Sequence, residues 1–171
     1  MTKKPICGGG KYELAGQTGE TIGLPVVLKG LPPKIQVEGY TLFLKSSFHI
    51  SLVCIGKIIE KHGVSISSFI DKVVDDFCEF IKTNEVSLVG YRDEFRFVSD
   101  KERRSVVVMC DISNLDKFFE LLNQKYGLQF EMQPTHVTLY TLQPDLGIFL
   151  TDSQDIERLT KLISNPGLVL T

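Results

Sequence analysis

The chain has 171 residues, 43% of them hydrophobic and 23% charged, a balance that fits one soluble globular domain with a real core and excludes a disordered chain. Its formal net charge of −2 argues against a dedicated duplex-binding protein, which would set a basic face against several phosphates, and does not exclude a small nucleotide or a single nucleic-acid end. The longest apolar runs, such as residues 106–110, fall far short of the ~20 residues a membrane span requires, so no membrane partner is expected.

Residues 1–23 are rich in Gly, Thr, Lys and Gln and read as a flexible N-terminal arm or edge segment, with residues 12–14 as a candidate short edge strand. Gly8-Gly9-Gly10 lacks the G-x-x-x-x-G-K-[ST] pattern of a phosphate loop. No apolar leader core follows Lys3 and Lys4. Cys7, Cys54, Cys78 and Cys110 stand at wide spacings with no C-x-x-C, which predicts reduced thiols in a cytoplasmic protein and neither a zinc site nor a disulfide framework.

Strands are predicted over residues 24–28, 35–37 and 40–44, and over 48–55, where Gly56 ends the run. One or two helical turns follow over 57–62, with His62 a solvated residue at the helix end. A longer amphipathic helix is predicted over 65–82, carrying Phe69, Val73, Phe77 and Phe80 at spacings of three and four. Residues 86–89, 94–98 and 105–112 read as strands, the last two joined by the charged turn 99–104 as an antiparallel hairpin. Ser113-Asn114-Leu115-Asp116 resembles a capping box that opens a second amphipathic helix, and Gly127 is its natural C-cap residue. Residues 128–132, 136–142 and 148–150 are predicted strands. A last helix spans 153–163. Helices that do not alternate regularly with single strands point to an α+β fold with antiparallel sheets, a single domain over 24–171.

One short pattern occurs twice, as Phe48-His49-Ile50-Ser51-Leu52-Val53 and as Thr135-His136-Val137-Thr138-Leu139-Tyr140. Alternation along a strand sends His49 and Ser51 to one face, and likewise His136 and Thr138, with Tyr140 next in that second series. Each copy thus presents an imidazole and a hydroxyl together. Lys45 precedes the first copy and is a candidate phosphate contact or a surface lysine. Tyr40, Tyr91 and Tyr140 are candidates for stacking on a base or for packing. Arg92, Arg96, Lys101, Arg103 and Arg104 are interleaved with Asp93, Glu94, Asp100 and Glu102, a solvated ribbon whose arginines could serve an RNA strand.

Two H-x-[ST] motifs in apolar strands about half a domain apart resemble those of the two-histidine (2H) phosphoesterase superfamily, which includes the RNA 2′,3′-cyclic phosphodiesterases once described as 2′-5′ RNA ligases. The resemblance covers the chain from about residue 24 onward. It implies a bilobal, pseudo-twofold fold in which two antiparallel sheets flank a central cleft with helices outside. His49 and His136 would be the catalytic pair, and Ser51 and Thr138 the phosphate-binding hydroxyls. No cofactor or metal is implied. The expected activity is metal-independent hydrolysis of a 2′,3′-cyclic phosphate on an RNA end or a small nucleotide, by a monomer. A non-catalytic RNA- or nucleotide-binding module and 2′-5′ ligation are the alternatives. The first motif carries Ser where the family more often has Thr, which keeps the hydroxyl but restricts its rotamer less.

Overall fold

The computed structural model describes residues 4–16 and 19–170. In chain order the elements are β1 (Lys4–Pro5), a 3-10 turn (Gly8–Gly10), β2 (Glu13–Ala15), β3 (Thr21–Val26), β4 (Lys34–Val37), β5 (Tyr40–Leu44) and β6 (Phe48–Cys54). Then come α1 (Ile55–His62), α2 (Phe69–Phe80), β7 (Leu88–Asp100), β8 (Arg103–Ile112), α3 (Leu115–Tyr126), β9 (His136–Thr141), α4 (Ser153–Leu159) and β10 (Thr160–Ile163). The protein is α+β, and among the described residues the strand pairings with a defined register are antiparallel. The chain divides into two compact units. One holds the described residues up to Pro25 with Ser51–Leu88 and Ile112–Gln133, and the other holds Val26–Ile50, Val89–Asp111 and the stretch from Pro134 onward.

In the first unit, β1, β2, β3 and the C-terminal half of β6 are neighbours in that order. α2 buries Phe69, Val73, Phe77 and Phe80, the stripe its sequence spacing predicts, and α3 buries Leu115, Phe118, Phe119 and Leu122. The stripes meet through Phe77 and Phe118, whose ring centroids are 5.2 Å apart edge to face, while Tyr12 meets Phe77 at 5.0 Å. Burying a side chain such as Phe77 contributes roughly 1.5–3 kcal/mol. The Tyr12 hydroxyl donates to the Val86 carbonyl at 2.7 Å, and the described residues of the N-terminal stretch include the paired strands β1, β2 and β3, while residues 1–3, 17 and 18 lie outside the described residues. A disulfide joins Cys7 to Cys78 of α2, which overturns the expectation of four reduced thiols. Spacing along the chain carried no sign of it, because the bridge depends on where the β1–β2 hairpin meets α2. Cys54 and Cys110 are buried free thiols, each pushed up to about 12 chiefly by burial, so neither is a reactive thiolate at neutral pH.

Two local expectations of this unit are corrected. Ser113 does not cap α3. Its hydroxyl donates to the Glu85 carbonyl at 2.8 Å and accepts from the Ser87 amide at 2.9 Å, and the helix starts after Asn114 in a left-handed conformation. Residues 128–132 form no strand, since the Asn123 side chain donates to the Phe130 carbonyl at 2.9 Å and accepts from its amide at 3.2 Å, doing a neighbouring strand's work.

In the second unit, the N-terminal residues of β6, then β9, β8, β7 and β10, are neighbours in that order, with β5 also on β9 and β4 on β5. The charged turn closes a β7–β8 hairpin at Lys101, which adopts φ 51°. Val98, Val107 and Met109 pack against Ile148 and Leu150, with Ile156 and Leu159 of α4 beside them. Ile148 and Leu150 are buried on alternate positions but belong to no strand, contrary to expectation. The last helix ends at Leu159, not at residue 163, because Thr160–Ile163 pairs with Val98, Phe97, Arg96 and Phe95 along the open edge of β7. Asp152 caps α4 by accepting from the Asp155 amide at 2.8 Å, and buried Asp155 accepts from the Thr151 amide and hydroxyl.

Candidate functional site

β6 and β9 are rich in β-branched and large apolar residues and sit side by side, Ile50 opposite Val137. Continuing that antiparallel register by one position sets His49 against Thr138. Opposed residues share a sheet face, so His49, His136 and Thr138 all project from the face opposite to Ile50 and Val137. His49 is then the diagonal neighbour of His136, about 7–8 Å away between backbone positions. On the far side of β9, Val107 opposes Thr138 and Met109 opposes His136, which assigns both to this same face. Both histidines belong to the second compact unit.

The alternation expected beyond Thr138 fails. Val107 opposes Thr138 but its neighbour Val106 opposes Tyr140, so Leu139 is an extra residue, a β-bulge. Tyr140 therefore points to the opposite face from Thr138, where it is fully buried and its hydroxyl donates to the Pro32 carbonyl at 3.0 Å. Burial pushes that phenol up to about 12. Leu44 opposes Tyr140, and Tyr40 alternates with Leu44 onto the same face, stacking on Phe97 at 5.9 Å with the Arg104 guanidinium 5.2 Å over its ring. Neither tyrosine stands beside the histidines.

His136 is 8% exposed, and its Nδ1 is 3.1 Å from the Pro134 carbonyl. A carbonyl only accepts, so Nδ1 carries the proton and Nε2 keeps its lone pair in the neutral ring. Burial lowers the pKa of His136 below its ordinary value, the Pro134 carbonyl acts in the other direction, and the positive charge of Lys45 lowers it again. At neutral pH this imidazole is uncharged. Lys45 owes its position to the bulge: its amide donates to the Leu139 carbonyl at 2.9 Å, and as the residue after Leu44 it turns to the histidine face. The next residue, Ser46, donates its amide (3.0 Å) and hydroxyl (2.8 Å) to the two carboxylate oxygens of Asp145, tying the segment before β6 to the segment after β9.

Ser51 falls in the first unit. Sequence reasoning missed Gly147. Gly147 adjoins Thr138, where a Cβ would make an ordinary contact 3.6 Å from the Thr138 hydroxyl. A glycine closing a Pro-Asp-Leu-Gly turn had been readable only as a turn residue. Among the described residues no group of three or more His, Cys, Asp or Glu could hold a metal ion, and no helix is long and apolar enough to cross a membrane.

Comparison with protein-family models, curated proteins and solved structures finds no match for this chain.

Proposed function

We propose that this chain is a two-histidine phosphodiesterase that opens a 2′,3′-cyclic phosphate on an RNA end or a small nucleotide. The observation that supports it is the placement of His49, Thr138 and His136 on one face of adjacent strands. In this reading water attacks phosphorus in line with the departing ribose oxygen. Neutral His136, held by Nδ1–H on the Pro134 carbonyl, takes the water proton at Nε2. Protonated His49 gives its proton to the ribose oxygen, so one P–O bond forms, one breaks, and the two rings exchange protonation states. Thr138 donates a hydrogen bond to a non-bridging oxygen, and the Lys45 ammonium offsets the charge gathering on the phosphoryl group. Both proton transfers are performed by side chains of the chain itself.

The family resemblance carries further expectations: a bilobal, pseudo-twofold arrangement and a phosphate-binding role for Ser51. The reading does not depend on either, since the residues it uses all lie in the second unit. The test is hydrolysis of nucleoside 2′,3′-cyclic phosphates and cyclic-ended oligoribonucleotides by wild type, His49→Ala and His136→Ala, with EDTA present. General acid–base catalysis is worth roughly 100- to 10,000-fold per group, and each substitution should cost that much in kcat. Unchanged hydrolysis in either variant refutes the mechanism.

A further inference from the structure

The arginines of the β7–β8 ribbon are not equivalent. Arg92 is bound to Asp111, and Arg96 donates to Glu94 at 2.7 Å and to the Thr160 hydroxyl at 2.9 Å. Arg104 donates to the carbonyls of Lys101 and Arg103 and lies over Tyr40, on the face away from the histidines. Arg103 differs from all three. It is exposed, and among the described residues its guanidinium pairs with no carboxylate, making only a long contact of 3.4 Å to the Gly147 carbonyl.

Strand geometry fixes where Arg103 points. On β8, Arg103, Ser105, Val107 and Met109 alternate onto one face, and Val107 and Met109 oppose Thr138 and His136. Arg103 thus rises from the histidine face, about 14 Å along the strand from Val107 at the backbone. Its long side chain closes much of that distance, because Gly147, whose carbonyl it reaches, borders the Thr138 hydroxyl. The Arg103 guanidinium and the Thr138 hydroxyl are thus both neighbours of Gly147.

We infer that Arg103 is a specificity-determining residue that binds a second phosphate of the substrate, next to the cyclic one. This inference rests on the two-histidine reading. A planar guanidinium with no competing carboxylate is suited to bidentate contact with phosphate oxygens, and its weak bond to the Gly147 carbonyl is easily exchanged for one. The substrate class is then a cyclic phosphate whose nucleotide carries another phosphate group, either a phosphodiester leading into an oligonucleotide or a terminal phosphate on a small nucleotide.

Three substrates separate these sources: a nucleoside 2′,3′-cyclic phosphate, the same compound bearing a 5′-phosphate, and a dinucleotide ending in a cyclic phosphate. For wild type, kcat/KM should favour at least one of the two substrates with a second phosphate. The preferred one identifies the source. In Arg103→Gln the ratio of kcat/KM between that substrate and the plain nucleoside should fall about 10- to 100-fold, the loss expected for a hydrogen bond to a charged group, with the change carried in KM. Arg103→Lys should recover part of the ratio. No preference in wild type, or a ratio that Arg103→Gln leaves unchanged, overturns the inference while the two-histidine reading stands. Wild-type protein that hydrolyses none of the three overturns that reading, and the inference falls with it.

Discussion

Removing the Cys7–Cys78 bridge is expected to lower the melting temperature by about 12 °C. The two cysteines are 71 positions apart, with Cα atoms 5.5 Å apart in the folded chain. Closing a loop of that length removes about 4.4 kcal/mol of unfolded-state entropy at 25 °C. Unfolding 171 residues carries an entropy of about 0.36 kcal/mol/K, which converts the loss into the stated shift if both units melt in one transition. Were the first unit to melt alone, its smaller entropy of unfolding would enlarge the shift. The assay is a thermal melt of wild type with and without a dithiol reductant, alongside Cys7→Ser/Cys78→Ser. The reduced wild type and the double variant should melt together, reductant should not affect the variant, and both should show a steeper urea dependence because their unfolded chains expand further. A reduced protein melting within about 3 °C of the oxidised one would refute the loop-closure reasoning.

Lys45→Met removes a positive charge that disfavours protonation of His136, so the pKa of His136 rises. A general base is lost as pH falls through its pKa, so the acid limb of kcat/KM should move to higher pH in the variant. An imidazole titration followed by NMR should show the same displacement, and a limb that stays put or moves down contradicts the placement of Lys45. His136 also sets a sign for stability. Its folded pKa lies below the unfolded value of ~6.5, so the unfolded chain binds the extra proton and stability falls as pH drops below ~6.5. His136→Phe should flatten that slope in urea titrations between pH 7 and 5. Tyr140→Phe deletes the bond to Pro32 and should cost about 1–2 kcal/mol in urea unfolding while hydrolysis of cyclic phosphate is retained. Loss of hydrolysis without loss of stability would return Tyr140 to the site.

Elements decided by their own side chains were legible in the sequence. β5 spans residues 40–44, α3 stops at Gly127 with φ 63°, and the apolar stripe of α2 is the one its spacing marked. Elements decided by a partner were not. Residues 160–163 continue a helical pattern, yet the free edge of β7 captures them as a strand, and residues 128–132 have strand composition but find Asn123 in place of a ladder. The site divides in the same way. That His136 and Thr138 share a face was readable because alternation is a property of one strand, whereas the pairing of β6 with β9 that sets His49 on the same face was not. The fates of Tyr140 and Ser51 were not, since a bulge is set against a neighbouring strand and the unit holding Ser51 is a matter of tertiary packing.

The bulge at Leu139 ties these observations together. In a regular β9, Tyr140 would follow His136 and Thr138 onto one face and crowd it with a phenol. The extra residue sends Tyr140 into the core of the other face, where the Pro32 carbonyl fixes it, and leaves Gly147 as a neighbour of Thr138. The same irregularity presents the Leu139 carbonyl to the amide of Lys45. That hydrogen bond brings the end of β5 alongside and puts a lysine charge where it acts on His136. One inserted residue thus turns Tyr140 away from Thr138 and places Lys45 where it acts on His136. Deleting Leu139 should therefore leave Tyr140 on its present face, now the next residue after Thr138 in a regular strand opposite Val106, while removing the carbonyl that holds the Lys45 amide, so the loss should fall on the coupling of Lys45 to the histidine and not on Tyr140.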